Sequence, residues 1–503
     1  MSKIVNHFHF SGLDLKKNHP TPLHRQLYEY IRLRILQGQI KPDTRLPPTR
    51  TLAKDLKISR NTVLNAYKQL IAEGYLETHM GADTRVTHNL PDSNLQVGKP
   101  TLNQKTSAAD ERKLTHVNLS DQGKLIVELP YPYWDRTGSR PFTSSQPGVD
   151  AFPNKVWEKT LTASWRNLKS EELCYPSPLG HRPLRETLAT YLQTSRGLNC
   201  SPEQVIITNG TQQALTVATT LLLNKGDTVW VENPSYNGVK IALQLRQAKL
   251  IPVEVDKEGL NFDLGLEKAP QARMVCISPS HQYPLGVTMS LTRRLALLRW
   301  AAENDVWIIE DDYDSEIRYA GYPMESLQGL DEAGRVIYMG TYSKVLFPSL
   351  RIGYMVVPKS LIEPLRAARA YFDRGNSILE QEAVHQFIQN GHLERHLRRM
   401  RTLYEVRQTR LVDMAHHYCR GLLDVEPSNA GLHLVGWLPD GNNDQLVSKA
   451  LMNGDIYAPP LTYFASEPLN RAGLVLGYAT VPEDQIETAV KKMAQLLNQA
   501  LAK

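Results

Sequence analysis

Lys344 closes the tetrapeptide Thr341-Tyr342-Ser343-Lys344, and Arg351 follows seven residues later. A lysine amine condenses with an aldehyde to give an imine, and two small hydroxyls with a guanidinium nearby form a donor set for a phosphate. Pyridoxal phosphate (PLP) is the aldehyde that carries a phosphate and forms such an imine. The segment therefore has the make-up of a PLP site, with Lys344 on the aldehyde carbon and Thr341, Ser343 and Arg351 on the phosphate. An isolated lysine is ordinarily a solvated surface group. Three further motifs set this one apart.

Those motifs need elements to hold them. From about Pro141 onward, the apolar segments Val205-Ile206-Ile207, Val229-Trp230-Val231, Met274-Val275-Cys276-Ile277, Val306-Trp307-Ile308-Ile309 and Val336-Ile337-Tyr338-Met339 alternate with helical stretches. Near-continuous apolar strands separated by helices predict an α/β unit with a largely parallel sheet covered on both faces. Such sheets bind ligands beyond the carboxyl ends of their strands, so the residues after each strand are the informative ones. After the first comes Thr208-Asn209-Gly210-Thr211-Gln212-Gln213, a glycine turn opening a helix whose free N–H groups suit a phosphate. After the second, Asn233-Pro234-Ser235-Tyr236 can lay a ring over a planar cofactor. The fourth ends in Glu310-Asp311-Asp312-Tyr313, where a carboxylate can keep a pyridine nitrogen protonated and Tyr313 can reach a phenolic oxygen. Each motif alone is commonplace; their order and placement with Lys344 are not.

Charge is uneven along the chain. Residues 1–86 hold 14 Lys and Arg against 7 Asp and Glu, whereas the whole chain of 503 residues carries a formal +6, so the rest is close to neutral. A polyanionic partner is expected at the N-terminal segment only. The four cysteines are scattered without a metal-ligand spacing and no apolar run approaches the roughly 20 residues of a membrane span, so a cytoplasmic protein with reduced thiols, no metal and no membrane partner is expected.

In the basic segment, Leu23, Leu27, Ile31 and Ile35 recur on one helix face closed by Gly38. A second helix is predicted from Thr49 as N-cap, with Leu52, Ala53 and Leu56 apolar. A third follows Ser59 as N-cap, burying Val63, Tyr67, Leu70 and Ile71. Two short helices joined by a tight turn, with Ser59, Arg60, Asn61 and Thr62 on a polar N-terminal face, form a helix-turn-helix that offers those residues to base edges. Gly74-Tyr75-Leu76-Glu77 and Thr84-Arg85-Val86, separated by Gly81, read as a two-stranded wing. A small helical bundle with ordinary surface charge is the plainer reading of the helix pattern alone. Residues 87–140 are mostly polar, apart from a strand or short helix near Leu125-Ile126-Val127, and read as a linker. A coil of about 50 residues spans roughly 40 Å, enough for two tethered heads to reach half-sites a helical turn apart, though a plain spacer is equally compatible.

The segments Leu46-Pro47-Pro48-Thr49-Arg50-Thr51-Leu52-Ala53, Ile58-Ser59-Arg60-Asn61-Thr62-Val63 and Leu70-Ile71-Ala72-Glu73-Gly74-Tyr75 resemble, in order, the winged helix-turn-helix of GntR-family transcription regulators. The resemblance implies DNA contacts by Arg50, Ser59, Arg60 and Thr62. In the wing, Gly81-Ala82-Asp83-Thr84-Arg85-Val86 departs from the family's pattern: Asp83 would repel phosphate, with Arg85 available to offset it.

Residues 141–503 resemble the aspartate aminotransferase fold, fold type I of PLP enzymes. That likeness implies Asp311 as the pyridine-nitrogen partner, Tyr313 on the phenolic oxygen and Tyr236 as the stacking ring. It also puts Gly210, Thr211 and Gln212 in the phosphate turn and implies a homodimer in which Tyr175 reaches the neighbour's phosphate. Two departures bear on activity. Tyr283, in His281-Gln282-Tyr283-Pro284-Leu285-Gly286, stands where such enzymes have an Asn, and Val475 stands where they clamp a substrate carboxylate with Arg; Arg471 lies nearby.

A GntR-type head (1–86), a linker (87–140) and an aminotransferase-like body (141–503) together resemble MocR/GabR-type regulators. The resemblance implies a regulator that binds a double-stranded DNA operator and responds when a small amine or amino-acid effector displaces Lys344 to form an external aldimine. Two alternatives stay open: a working aminotransferase carrying a DNA-binding head, and a sensor of PLP itself that controls vitamin B6 synthesis.

Overall fold

The computed structural model describes residues 20–79, 83–88, 118–128, 140–144, 146–321 and 325–502 together with Leu13, Leu15 and Lys16, and the described residues of the N-terminal unit form three helices and a β-ribbon. Helices α1 (Leu23–Leu36), α2 (Thr49–Asp55) and α3 (Arg60–Ala72) precede the antiparallel strands β1 (Leu76–His79) and β2 (Asp83–Val86). Leu27, Ile31 and Ile35 meet Leu52, Val63, Tyr67 and Leu70 in one core, as the four-residue spacing requires. Ser59 caps α3 by accepting from the Thr62 amide at 3.1 Å, an arrangement that contributes on the order of 1 kcal/mol. Thr49 is not the expected cap: Pro48 holds that position without a side-chain bond, and Thr49 is the first helical residue. The ribbon pairs Leu76 with Val86, as a wing does; Gly81 at its tip lies outside the described residues.

The chain divides into two compact units, Met1–Asn118 and Leu119–Lys503. Within the stretch expected as linker, the described part around Leu125 is a helix, Asp121–Glu128; Gln122 there donates to the Leu245 carbonyl, so this helix sits against the second unit's own helix Asn237–Leu245. Residues 89–117 and 129–139 of that stretch lie outside the described residues.

The second unit is built on an eight-stranded sheet of order β3-β10-β9-β8-β7-β4-β5-β6. Its strands are β3 (Val205–Thr208), β4 (Thr228–Asn233), β5 (Lys249–Asp256), β6 (Gly259–Leu260), β7 (Met274–Ile277), β8 (Trp307–Asp312), β9 (Val336–Thr341) and β10 (Gly353–Val356). From β9 through β5 the pairs are parallel, as predicted, while β10 runs antiparallel between β9 and β3. Both faces are covered. Val229, Val231, Cys276, Ile309 and Met339 pack on one side with helix Thr211–Leu222, while the alternate residues Trp230, Val275, Ile308 and Val336 pack on the other with helix Leu291–Glu303. Trp230 stacks on Trp300 at 4.4 Å, and a side chain at Gly265 would meet the Trp230 ring at 2.6 Å, so only glycine fits there. A second, three-stranded sheet, β11 (Asp424–Val425), β12 (His433–Trp437) and β13 (Gly473–Gly477), lies in the C-terminal part with the long helices His392–Tyr418 and Glu483–Leu501.

Candidate functional site

The three acids that end β8 separate by strand periodicity. Glu310 and Asp312 point to one face, Asp311 to the other. Glu310 accepts from the Leu327 and Gln328 amides, both at 3.0 Å. Asp312 is held by Arg196 at 2.6 Å and by the Tyr338 hydroxyl at 2.6 Å. Asp311, 6% exposed, keeps an Oδ1 with no hydrogen-bond partner among the described residues. Burial pushes its pKa up to about 7, with Asp312 adding to the rise and the Lys344 charge opposing it. Desolvation pulls the Lys344 amine down to about 8, against Asp314 and Asp311, which raise it. A buried carboxylate with one unpartnered oxygen, beside a lysine whose proton is loosely held, fits a protonated ring nitrogen together with an aldehyde carbon.

A candidate anion site is built from three segments. Gly210, at φ +102°, starts helix Thr211–Leu222, and a side chain on it would lie 3.1 Å from the Arg351 guanidinium. The first amides of that helix, those of Thr211 and Gln212, lack intrahelical partners and carry the positive end of its dipole. Arg351, in a left-handed conformation at φ 52°, reaches across to the Asn209 carbonyl. The Thr341 hydroxyl accepts from the Ser343 amide at 3.1 Å, which shapes the turn that carries Lys344. Gln212 turns its side-chain amide onto the Gly238 carbonyl at 3.1 Å, so its backbone is the part left for an anion. The structure thus brings Gly210, Thr211, Thr341, Ser343 and Arg351 to neighbouring strand ends, with Asp311 on the adjoining strand β8.

Tyr236 packs edge-on to Tyr283, their ring centres 6.3 Å apart. The Tyr313 hydroxyl meets His281 Nδ1 at 3.0 Å, and the same nitrogen meets the Asp314 carboxylate at 2.9 Å. His281 and Asp314, both buried, join the candidate site without having stood out in the sequence: His281 lies in the segment that departs from the family's Asn motif, and Asp314 is one more acid in a run of four. Val475 is buried on β13 opposite Val435, in a cluster with Tyr283, Leu461 and Phe464. Arg471 does not replace a carboxylate clamp there; it lies 3.4 Å from Asp424 and over the Trp437 ring. Tyr175 is 82% exposed, with Arg374 over its ring, and the structure does not bring it to the other site residues of its own chain. The four cysteines are free, and among the described residues no His, Cys, Asp and Glu group could hold a metal ion and no helix is long and apolar enough to cross a membrane.

In the N-terminal unit, Arg50, Arg60 and Asn61 are exposed at the starts of α2 and α3. Ser59 and Thr62 share a hydrogen bond at 2.8 Å, so part of their capacity serves the cap. The wing differs from expectation in one respect. Asp83 is ion-paired with Arg45 and lies 3.7 Å from Arg85, and Arg85 also holds Asp43 at 3.0 Å. Asp83 is thus neutralised within the unit, and Arg85 is engaged in doing so.

Residues 23–86 match the family model of bacterial regulatory proteins, gntR family, and residues 143–493 match that of aminotransferase class I and II. The chain is 38% identical to the probable rhizopine catabolism regulatory protein MocR of Rhizobium meliloti, over 96% of this chain and 95% of that one. It belongs to the MocR-type transcriptional regulators. A second member of this group, the pyridoxine biosynthesis transcriptional regulator PdxR of Corynebacterium glutamicum, is 29% identical over 96% of this chain and 98% of its own. The aminotransferase-like body of this MocR-type chain resembles kynurenine aminotransferase of Pyrococcus horikoshii, solved with PMP, with a TM-score of 0.67 and 27% identity over 82% of this chain and 99% of that one. The fold is therefore a winged helix-turn-helix followed by a PLP fold-type-I body.

Proposed function

We propose that this regulator binds PLP at Lys344 and senses an amino compound there, changing how its winged helix-turn-helix engages a DNA operator. The observation that carries the reading is the buried Asp311 Oδ1, which lacks a partner among the described residues and sits within electrostatic reach of Lys344. PLP would supply the aldehyde that an amine can capture and the ring that draws electrons from it. Asp311 would hold the ring nitrogen's proton. Gly210, Thr211, Thr341, Ser343 and Arg351 would hold the phosphate, Gln212 through its backbone amide. Tyr236 would cover the ring and Tyr313, oriented by His281, would face the phenolic oxygen. Lys344, neutral in a sizeable fraction near pH 8, would yield its place to an incoming amine and take it back when the amine leaves.

Homodimerisation fits the nearly bare rings of Tyr175 and Tyr371, 82% and 89% exposed, which a second copy would cover. Tyr175 would then touch the neighbour's cofactor. Arg50, Arg60 and Asn61 are the accessible DNA contacts, with Ser59 and Thr62 beside them. A coupling of about 1–3 kcal/mol between amine and operator would change DNA affinity roughly 5–150-fold. Response to PLP level alone is the second reading, favoured by the apolar setting of Val475 and the engagement of Arg471 elsewhere, which leave the site poor in groups for an α-carboxylate.

Titrating the PLP-loaded protein with amines and amino acids, while following the visible spectrum and binding to its upstream DNA, tests both. A spectral change that moves DNA affinity without product supports amine sensing. DNA affinity that follows PLP alone supports the second reading, and steady keto-acid release with unmoved DNA affinity would make the protein an aminotransferase.

A further inference from the structure

A cleft of about 330 Å³ opens on the far side of His281 from Tyr313, between the segment after β7 and the loop before β12. Arg318, His281, His433, Glu426, Ser428 and Asn429 line it; neither Lys344 nor any residue assigned to the phosphate does. The loop is anchored rather than loose: Tyr319 N donates to the Asn429 carbonyl at 2.8 Å and Gly431 N to the Ile317 carbonyl at 2.8 Å.

Two features of the cleft point to a ligand. Arg318, half-buried, has no carboxylate within ion-pair distance among the described residues, and its guanidinium meets only the Ala320 carbonyl, at 3.4 Å. His281, 4% exposed, has an Nε2 without a partner, although its Nδ1 is doubly engaged. Two glycines with positive φ, Gly286 and Gly431, let the backbone close on that edge of the ring; a side chain on Gly286 would begin 3.2 Å from His281 Nε2 and 3.9 Å from Ser428 Oγ. His433 is not an alternative cation, since burial drives its pKa down to about 3 and its Nε2 donates to the Pro284 carbonyl at 3.0 Å.

We propose that this cleft is a second small-molecule site, distinct from Lys344, that takes a compact monocarboxylate bearing hydroxyl or ammonium groups. Arg318 binds the carboxylate as a planar fork, while His281 Nε2 in the floor, whose ring already donates through Nδ1 to Asp314, accepts from a hydroxyl or ammonium of the ligand. The exposed Glu426 at the rim receives hydroxyls or an ammonium and disfavours a dianion. A volume near the lower limit for ligand pockets restricts the occupant to amino-acid or sugar-acid size. Because His281 also orients Tyr313, an occupant would be felt at the amine site without touching it. The proposal does not require a cofactor on Lys344.

The test is calorimetric titration of the full chain with gluconate and with glycine betaine, neither of which has an amine able to form an imine, and with inorganic phosphate as the dianion control. Saturable binding of gluconate or betaine is expected, weakened about tenfold or more in Arg318→Gln, partly kept in Arg318→Lys, and unchanged in Lys344→Ala. PLP uptake by Arg318→Gln, read from the visible spectrum, should match the parent and so report an intact fold. The proposal is overturned if neither probe gives saturable heat, if Arg318→Gln binds as the parent does, if phosphate binds as tightly as the carboxylates, or if Lys344→Ala abolishes binding.

Discussion

Asp311 and Asp312 are chain neighbours with opposite fates: Asp312 is locked at 2.6 Å by both Arg196 and Tyr338, while Asp311 Oδ1 has no hydrogen-bond partner among the described residues. Strand alternation alone produces the split, turning the two carboxylates to opposite faces of the sheet. An isolated buried carboxylate destabilises the fold unless protonated or partnered. Asp311→Asn should therefore leave the cofactor-free protein at least as stable near pH 8, by thermal melting, while weakening PLP binding about 10–100-fold, the range for a hydrogen bond to a charged group. A variant that loses stability and keeps PLP affinity would place Asp311 in the scaffold with Asp312.

Lys344→Ala should abolish the imine absorbance and the response to amines while leaving operator affinity largely unchanged. Lys344 lies in the second compact unit and the winged helix-turn-helix in the first, and the substitution removes a side chain from the second alone. Spectrophotometry and a gel-shift assay with and without amine read both. A variant that still responds normally to amine sinks Lys344 as the sensing group.

The rate of PLP uptake should rise with pH and level off near pH 8. The neutral amine is the attacking form, and burial lowers the Lys344 pKa to about 8 from an ordinary 10.5, so its fraction grows about tenfold per pH unit below that point and saturates above it. Stopped-flow absorbance between pH 6 and 10 follows this. A rate that keeps climbing to pH 10 would mean that Lys344 titrates like a solvated lysine. Linkage gives a companion sign: a lysine pKa depressed by folding makes the cofactor-free protein gain stability from this group as pH rises from about 8 toward 10.5.

Lys344, the glycine turn and the strand-end acids were legible in the sequence because each is a local pattern: an apolar run followed by chemistry within a few residues. Five strands of the large sheet were legible for the same reason; β5, β6, β10 and the three-stranded sheet were not, since none of them is a continuous apolar run followed by chemistry. What the sequence hid is what pairs across distance. Arg196 is 116 residues from the Asp312 it secures, and His281 is 33 residues from Asp314. Periodicity carries no signal for such pairs, so His281 looked like an oddity of a loop rather than the residue that orients Tyr313. The expected cap at Thr49 failed for a local reason, since Pro48 lacks the oxygen with which a side chain would cap α2.

Arg60→Ala should weaken operator binding by about 1–3 kcal/mol if the guanidinium reads a guanine edge, at unchanged PLP content. The exposed side chain at the first turn of α3 makes no ion pair with another described residue, so its removal should not disturb the fold. Unaltered affinity, by fluorescence anisotropy on the upstream DNA, removes it from the reading face.

The wing makes the opposite prediction. Asp83 holds Arg45 and draws on Arg85, which also pairs with Asp43, so both arginines are turned inward onto carboxylates of their own unit. Asp83→Asn removes one negative charge near the DNA and releases the Arg45 guanidinium toward phosphate, while Arg85 stays on Asp43. Surface ion pairs contribute only about 0–1 kcal/mol to stability, so the fold should tolerate the change. Operator and non-specific DNA should then both bind more tightly, with the dependence of log affinity on log salt steeper by roughly one charge's worth of released counterions. Tighter binding with an unchanged salt slope would mean that Arg45 stays where it is and only repulsion was relieved. Weaker binding would mean that the Arg45–Asp83 pair holds the wing in the shape DNA requires, making the aspartate a structural part of this head rather than a brake on it.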